Sequence, residues 1–301
     1  DGHMNRVVRH AIDCGCDPLV AIQMATINTA SHFGMERELG SITPGRRADF
    51  IVTSSLKELP IENVFARGKC VAENGKILTD CPHYDWPSTV RETVKLGKKL
   101  EADDFVLKAP EEASLVRAKV IGVIENQAPT KSLEFDLPTK NGNVQISEGV
   151  SYLSLVERHR GTGSVTNGFV SGFEYTGSMA IASSVAHDSH HMIVVGTARE
   201  MMAAAANRLG EVGGGVTVWK DGSEVALVEL PIAGLMSDSP ASIVASKAQD
   251  VVSAMADCGC SLNNAYMQHT LLALVVIPEL RISDLGLVDV NLFELTEVIL
   301  S

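Results

Sequence analysis

The chain has 301 residues, 45% of them apolar and 21% charged, an ordinary globular balance with room for two domains. Its net charge of −12 and its lack of clustered Lys and Arg argue against nucleic-acid or anionic-membrane partners, whose phosphates call for basic patches. Aromatic residues make up only 5%, so the cores must be built from Val, Ile, Leu, Ala and Met.

Six cysteines occur, four of them in two Cys-Gly-Cys pairs, Cys14/Cys16 and Cys258/Cys260. Residues one apart rarely bond each other, and the Cys-x-x-Cys pairs of metal sites are missing, so reduced thiols in a cytoplasmic protein are expected. Neither a signal peptide nor an apolar run of membrane-spanning length stands out.

In chain order, Val8, Ala11 and Ile12 share a helical face that Gly15 closes. Asp17-Pro18 predicts a helix start, with the carboxylate capping a free N–H and proline at the first helical position. Ala21, Met24, Ala25 and Asn28 carry that helix to about Phe33, with Gly34 as its stop. Pro44-Gly45 fits a type II turn. Short strands are expected at Phe50–Val52, Val64–Ala66 and Lys69–Glu73, the last joined to Lys76 by an Asn74-Gly75 hairpin turn. Residues 81–115, with Pro82, Pro87 and Pro110, read as an extended crossing.

From about 116 a second domain is expected. Strands are predicted over Lys119–Asn126, Tyr152–Arg158, Val165–Phe173, Met179–Ala186 and Met192–Gly196, with a hairpin at Asn141-Gly142. Thr197 and Glu200 suggest a capping box opening a helix whose buried face is Met202, Ala205, Ala206 and Leu209. Val216–Lys220 and Glu224–Leu230 pair across Asp221-Gly222. Ser239-Pro240 opens a further helix with Val244, Ala248, Val251, Val252 and Met255 on one side. The fold class is α/β and α+β.

The densest reactive cluster is His187-Asp188-Ser189-His190-His191, a strand end or a tight turn between apolar runs. If extended, it would turn His187, Ser189 and His191 one way and Asp188 and His190 the other. Paired imidazoles relay protons or bind metal, and a neighbouring carboxylate can set a tautomer. Equally, Asp and Ser could cap a turn while the histidines fill space. Gly213-Gly214-Gly215 follows a helix rather than preceding one, so it ends that helix and admits close packing instead of cradling phosphate. Glu211 beside it could face a cleft or sit exposed at the helix end. His3, His10, His32, His83, His159 and His269 read as structural, and Asp49 as a loop anchor.

Two sets of motifs carry a resemblance. AIQMATIN (21–28) through Gly34, GSITPGRRADFIV (40–52) and GKCVAENGK (68–76) resemble the closing part of amidohydrolase-superfamily metal hydrolases. HDSHH (187–191), MAAAANRLGEVGGG (202–215) and LPIAGLMSD (230–238) resemble the C-terminal domain of the bacterial-type adenine deaminase family.

The resemblance implies that residues 1–38 are the last helices of a TIM barrel. It further implies that 39–115 are part of a small β-sandwich and a linker, and that 116–301 are the family's C-terminal domain. It implies a metal-dependent hydrolysis of adenine to hypoxanthine and ammonia, serving purine salvage and adenine catabolism, with Mn, Fe or Zn activating water. The family's His-x-His pair does not precede Met4, and its late Asp is expected upstream of Asp1. The metal ligands are therefore expected in a preceding N-terminal barrel half, with no metal ligand and no other cofactor-binding residue in this chain. His187, Asp188, His190 and His191, with Glu211 behind them, are the accessory site residues expected here. Adenine, the other barrel half and a homo-oligomer are the expected partners. The alternatives are a non-catalytic small-molecule-binding or oligomerisation pair, or another cyclic-amidine or amide hydrolase.

Overall fold

A computed structural model describes residues 2–80, 84–110 and 113–300; Pro82 and His83, read above from the sequence, lie outside the described residues, as do Asp1, Cys81, Glu111, Glu112 and Ser301. The chain divides into two compact units, Asp1–Asp85 and Trp86–Ser301. Residues 86–110 belong to the larger of these units.

In the smaller unit, α1 (Met4–Asp13) is followed by α2 (Pro18–Met24) and α3 (Ile27–His32). The Asp17 carboxylate accepts the N–H groups of Leu19 and Val20, as expected of Asp-Pro. The single helix expected over 18–33 is broken at Ala25-Thr26. There the Thr26 hydroxyl donates to the Ile22 carbonyl at 2.6 Å and Thr29 to the Met24 carbonyl at 2.6 Å, diverting carbonyls from a straight ladder. Arg46 N donates to Thr43 O around Pro44-Gly45, with Gly45 at φ +87°, which fits the type II turn.

Strands β1 (Phe50–Val52), β2 (Asn63–Ala66), β3 (Lys69–Glu73) and β4 (Lys76–Ile77) form an antiparallel sheet in sequence order. Asn74 and Gly75 both take positive φ in the β3–β4 turn. Asp49 accepts the Arg67 N–H at 2.6 Å, which makes it the loop anchor expected.

The larger unit opens with α4 (Ser88–Arg91) and a 3₁₀ turn at Ala102–Phe105. There follow β5 (Leu115–Val123), β6 (Thr130–Lys140), β7 (Asn143–Val144), β8 (Val150–Val156), β9 (Val165–Ser171), β10 (Met179–Ser183) and β11 (Met192–Gly196). Then come α5 (Arg199–Val212), β12 (Gly215–Lys220), β13 (Ser223–Glu229), α6 (Ala241–Asp257), α7 (Ala265–Leu271), β14 (Leu280–Ser283), β15 (Gly286–Asp289) and β16 (Glu294–Thr296). Among the described residues, nine strands form one sheet in the order β13-β12-β10-β11-β8-β9-β5-β6-β7, antiparallel except where β5 meets β9. Strands β14–β16 form a separate antiparallel sheet.

The large sheet is covered on both faces. One face packs Val120, Tyr152, Ala182 and Val194 against Met202, Ala205, Ala206 and Leu209 of α5 and against Leu100 and Phe105. The other packs Leu153, Ile181, Val195 and Val218 against Val251 and Met255 of α6 and against Leu280 and Ile282 of β14. Every residue of β8, β10 and β11 is buried, which is why those strands read as continuous apolar runs rather than alternating ones.

Two helix expectations are corrected. The Thr197 hydroxyl does not cap α5; it donates to Gly177 O at 2.6 Å and accepts the Met179 N–H, closing the entry to β10. Helix α5 starts two residues later, without a side-chain cap. Helix α6 buries Val251, Ala254 and Met255 and half-buries Val244 against the same core, but leaves Ala248 and Val252 exposed, so the apolar face is narrower than expected. Cys14, Cys16, Cys70, Cys258 and Cys260 are free thiols.

Candidate functional site at the histidine turn

The pairing of β8 with β11 places Val156 opposite Met192. The residues after β8 therefore run beside those before β11, and Glu157-Arg158-His159 meets the turn at 187–191. The turn is tight rather than extended. His190 N donates to Ala186 O at 2.7 Å and His190 adopts φ +51°, so the two-faced alternation of an extended stretch does not form. His187 N is tied to Thr270 O at the end of α7.

The four expected turn residues are brought together with differing exposure. Asp188 is exposed, His187 and His190 are half-buried, and His191 is buried. The rings of His187 and His190 meet edge-on at 5.2 Å. The Ala186 N–H donates to His190 Nδ1 at 3.3 Å, which leaves Nε2 as the protonated nitrogen of the neutral ring. His191 packs on His159 at 4.7 Å, with its Nε2 3.7 Å from the Asp284 carboxylate. Its Nδ1 is buried with no hydrogen-bond partner among the described residues.

Burial, then repulsion from His187 and Arg158, lowers the His190 pKa below its ordinary value. Burial, then His159, lowers that of His191, with Asp284 and Glu157 opposing. Both shifts favour the neutral ring: His190 then offers Nε2–H as a donor, its Nδ1 being taken by Ala186, while His191 keeps Nδ1 without a partner among the described residues. Glu211 is not part of this group. It is an exposed carboxylate at the end of α5, 3.3 Å from Arg208.

Four residues that the sequence does not single out, Arg158, Ser184, Asp284 and Glu157, support the candidate site. The Arg158 guanidinium, 1% exposed, donates to His190 O at 2.6 Å, to Ala233 O at 3.2 Å and to Thr93 O at 3.5 Å. Burial pushes it down to about 10, so it is still charged at neutral pH. Ser184 joins Gly215 to Gly234. Asp284, in the β14–β15 turn, is held by the Thr166 hydroxyl on its carbonyl. Glu157 turns its carboxylate onto the N–H groups of His159, Arg160 and Thr162 and onto the Thr162 hydroxyl. Burial would raise its pKa, but these donors outweigh it and hold the carboxyl at about 2. The one signal in the sequence was the charged run Glu157-Arg158-His159-Arg160 closing an apolar strand.

The glycine run behaves as expected. Gly213 ends α5 at φ +81°, and a Cβ on Gly214 would lie 2.5 Å from Gly234 Cα. The three motifs singled out in the sequence, at 187–191, 202–215 and 230–238, thus converge on Arg158 and Ser184. Among the described residues, no group of three or more His, Cys, Asp or Glu is arranged to hold a metal ion. The histidine turn does not fit one: His190 Nδ1 is turned back onto the Ala186 N–H, and no third donor stands with His187 and His190 among the described residues.

A two-sided α/β domain following a segment of amidohydrolase type defines the class of this chain, and comparison with known families agrees. Residues 1–71 match the amidohydrolase family, and residues 127–294 match the adenine deaminase C-terminal domain family. The chain belongs to the adenine deaminase C-terminal domain family. It is 72% identical over 297 residues to the adenine deaminase of Ruegeria pomeroyi, covering 98% of this chain and 49% of that protein. It is 70% identical over 299 residues to the adenine deaminase of Roseobacter denitrificans, covering 99% and 50%. The adenine deaminase of Moorella thermoacetica is 41% identical over 300 residues, again covering 99% and 50%. The chain spans about half the length of the curated relatives it matches. Among the described residues no helix is long and apolar enough to cross a membrane.

Proposed function

We propose that the protein to which this chain belongs hydrolyses adenine to hypoxanthine and ammonia in the cytoplasm, breaking the C6–N bond and forming a C6–O bond with water. The carrying observation is the 72% identity, across 98% of this chain, to a protein named adenine deaminase. A divalent metal supplies the activated water in this reading. The donors described here do not fit a metal, so its ligands are assigned to the half of the protein that lies outside this chain.

The smaller unit is the end of that half's barrel with part of its β-sandwich. Its apolar surface residues Val20, Met24, Phe33 and Ile42 are what the missing half would cover. In this reading the larger unit supplies an accessory wall of the pocket through His187, Asp188, His190 and His191. Glu211 is left in an exposed ion pair away from it, and the whole enzyme is a homo-oligomer.

The test is ammonia release from adenine by the full-length protein loaded with Mn, Fe or Zn. Activity that is lost on chelation and regained with metal is expected. Full-length protein that leaves adenine intact with each metal overturns the reading.

A further inference from the structure

The turn at 187–191 does not hold itself in place. Its internal bonds are the His190 N–H to Ala186 O, the Ala186 N–H to the His190 ring and a long His191 N–H to Ser189 Oγ at 3.5 Å; the carbonyls of Ser189 and His190 are gripped from outside. Arg158 Nε donates to His190 O at 2.6 Å. His159 Nε2 lies 2.8 Å from Ser189 O, and as that carbonyl can only accept, the ring nitrogen donates. Two consecutive residues thus hold two consecutive carbonyls of the turn. Glu157 fixes the pair in turn, because its carboxylate accepts the His159 and Arg160 N–H groups at 2.5 and 2.7 Å. The same Arg158 reaches Ala233 O, and Gly234 has no room for a Cβ because one would lie 2.7 Å from Arg158 Nη1.

We propose that Glu157-Arg158-His159 is a positioning clamp for the histidine turn, with His159 setting the Ser189 end and Arg158 the His190 end. The proposal rests on the histidine turn having the site role proposed above.

The chemistry of the pair favours this role over simple filling of space. Buried arginines usually meet a carboxylate; this one is given over to main-chain carbonyls from three segments, which fixes positions rather than neutralising charge. His159 is exposed, so burial does not explain its contact with the turn. Its ring also covers His191, whose other neighbours are Asp284, Glu157 and Arg158. Moving His159 therefore alters both where the turn sits and how His191 is screened.

The test uses the full-length protein with His159→Ala, His159→Gln and Arg158→Lys. Two readouts are taken: hydrogen exchange of the peptide spanning 186–194, and kcat/KM with adenine. In His159→Ala, exchange in that peptide is expected to accelerate about tenfold. The same variant should lose roughly ten- to a hundredfold in kcat/KM, mostly in kcat, with melting temperature and metal content retained. Glutamine carries an N–H that can reach Ser189 O, so His159→Gln is expected to restore slow exchange and most of the activity. Arg158→Lys keeps the charge but loses the fork, and is expected to follow His159→Ala.

Because His159 is exposed, its variants decide the matter even if Arg158→Lys does not fold. Unchanged exchange in His159→Ala overturns the clamp. Faster exchange with unchanged kcat/KM overturns its connection to the reaction. A wild-type protein that releases no ammonia counts against the deaminase reading, while the exchange comparison still decides the clamp.

Discussion

Ser184 and Gly234 are joined by a buried hydrogen bond: the Ser184 hydroxyl donates to the Gly234 carbonyl at 2.6 Å while accepting the Gly215 N–H at 2.7 Å. One hydroxyl thereby fastens the loop after β13 to the glycine run before β12. Ser184→Ala leaves both backbone groups buried without that partner. We expect a loss of roughly 1–3 kcal/mol in urea-unfolding free energy, the range for stranding buried polar groups. A loss below a few tenths would mean that the bridge is replaced at no cost.

Gly234 tests the same junction from the other side. It sits at φ +71°, and an added Cβ would lie 2.7 Å from Arg158 Nη1. Gly222 has a similar φ of +86° with nothing within 4 Å. Gly222→Ala should cost about 1 kcal/mol from backbone conformation alone. Gly234→Ala should cost more, and should also speed exchange in the 187–191 turn through Arg158. Equal costs for the two variants would contradict the steric argument.

Acid sensitivity should come from His269 and Glu157. Complete burial drives His269 down to about 3, with the Ile193 backbone opposing. The unfolded chain protonates near the ordinary value of 6.5, so below that pH the unfolded state binds a proton that the folded state refuses. Stability contributed by this group is present above 6.5 and falls by about 1.4 kcal/mol per pH unit towards 3. His190 and His191 add a loss of the same sign. Glu157, held at about 2, adds a further loss as pH falls from 4.5. Urea midpoints from pH 7 to pH 4 should show the slope, and His269→Leu should reduce it by about one proton. An unchanged slope would remove His269 as its source.

The exposed end of the turn is where substrate contact is expected. In the full-length protein, His187→Ala or Asp188→Asn should lower kcat/KM with adenine by roughly a hundredfold if either residue handles a proton. Unchanged kinetics in both would leave the turn a structural feature.

Much of the fold was legible because it rests on local chemistry. The Asn74-Gly75, Asn141-Gly142 and Asp221-Gly222 turns all take paired positive φ, which those residues tolerate and most others do not. The buried face of α5 followed directly from helical spacing. The break at Thr26 and the missing cap at Thr197 were not legible: the Thr26 hydroxyl turns onto Ile22 O inside the helix pattern, and the Thr197 hydroxyl is drawn to Gly177 O, 20 positions away in the chain. The candidate site was half legible. His187 to His191 announce themselves by density, whereas Arg158 and Asp284 join them only through the β8–β11 register and the β14–β15 turn. Glu211, beside the glycine run and expected behind the cluster, is carried by α5 to an exposed pair with Arg208.

The most direct test of the account is ammonia release from adenine by residues 1–301 alone, and by the same chain mixed with the separately expressed other half of a full-length relative, with Mn present. The account predicts none from the chain alone and release from the mixture. Metal-dependent release by residues 1–301 on their own would contradict it, since the reacting centre would then lie within this chain.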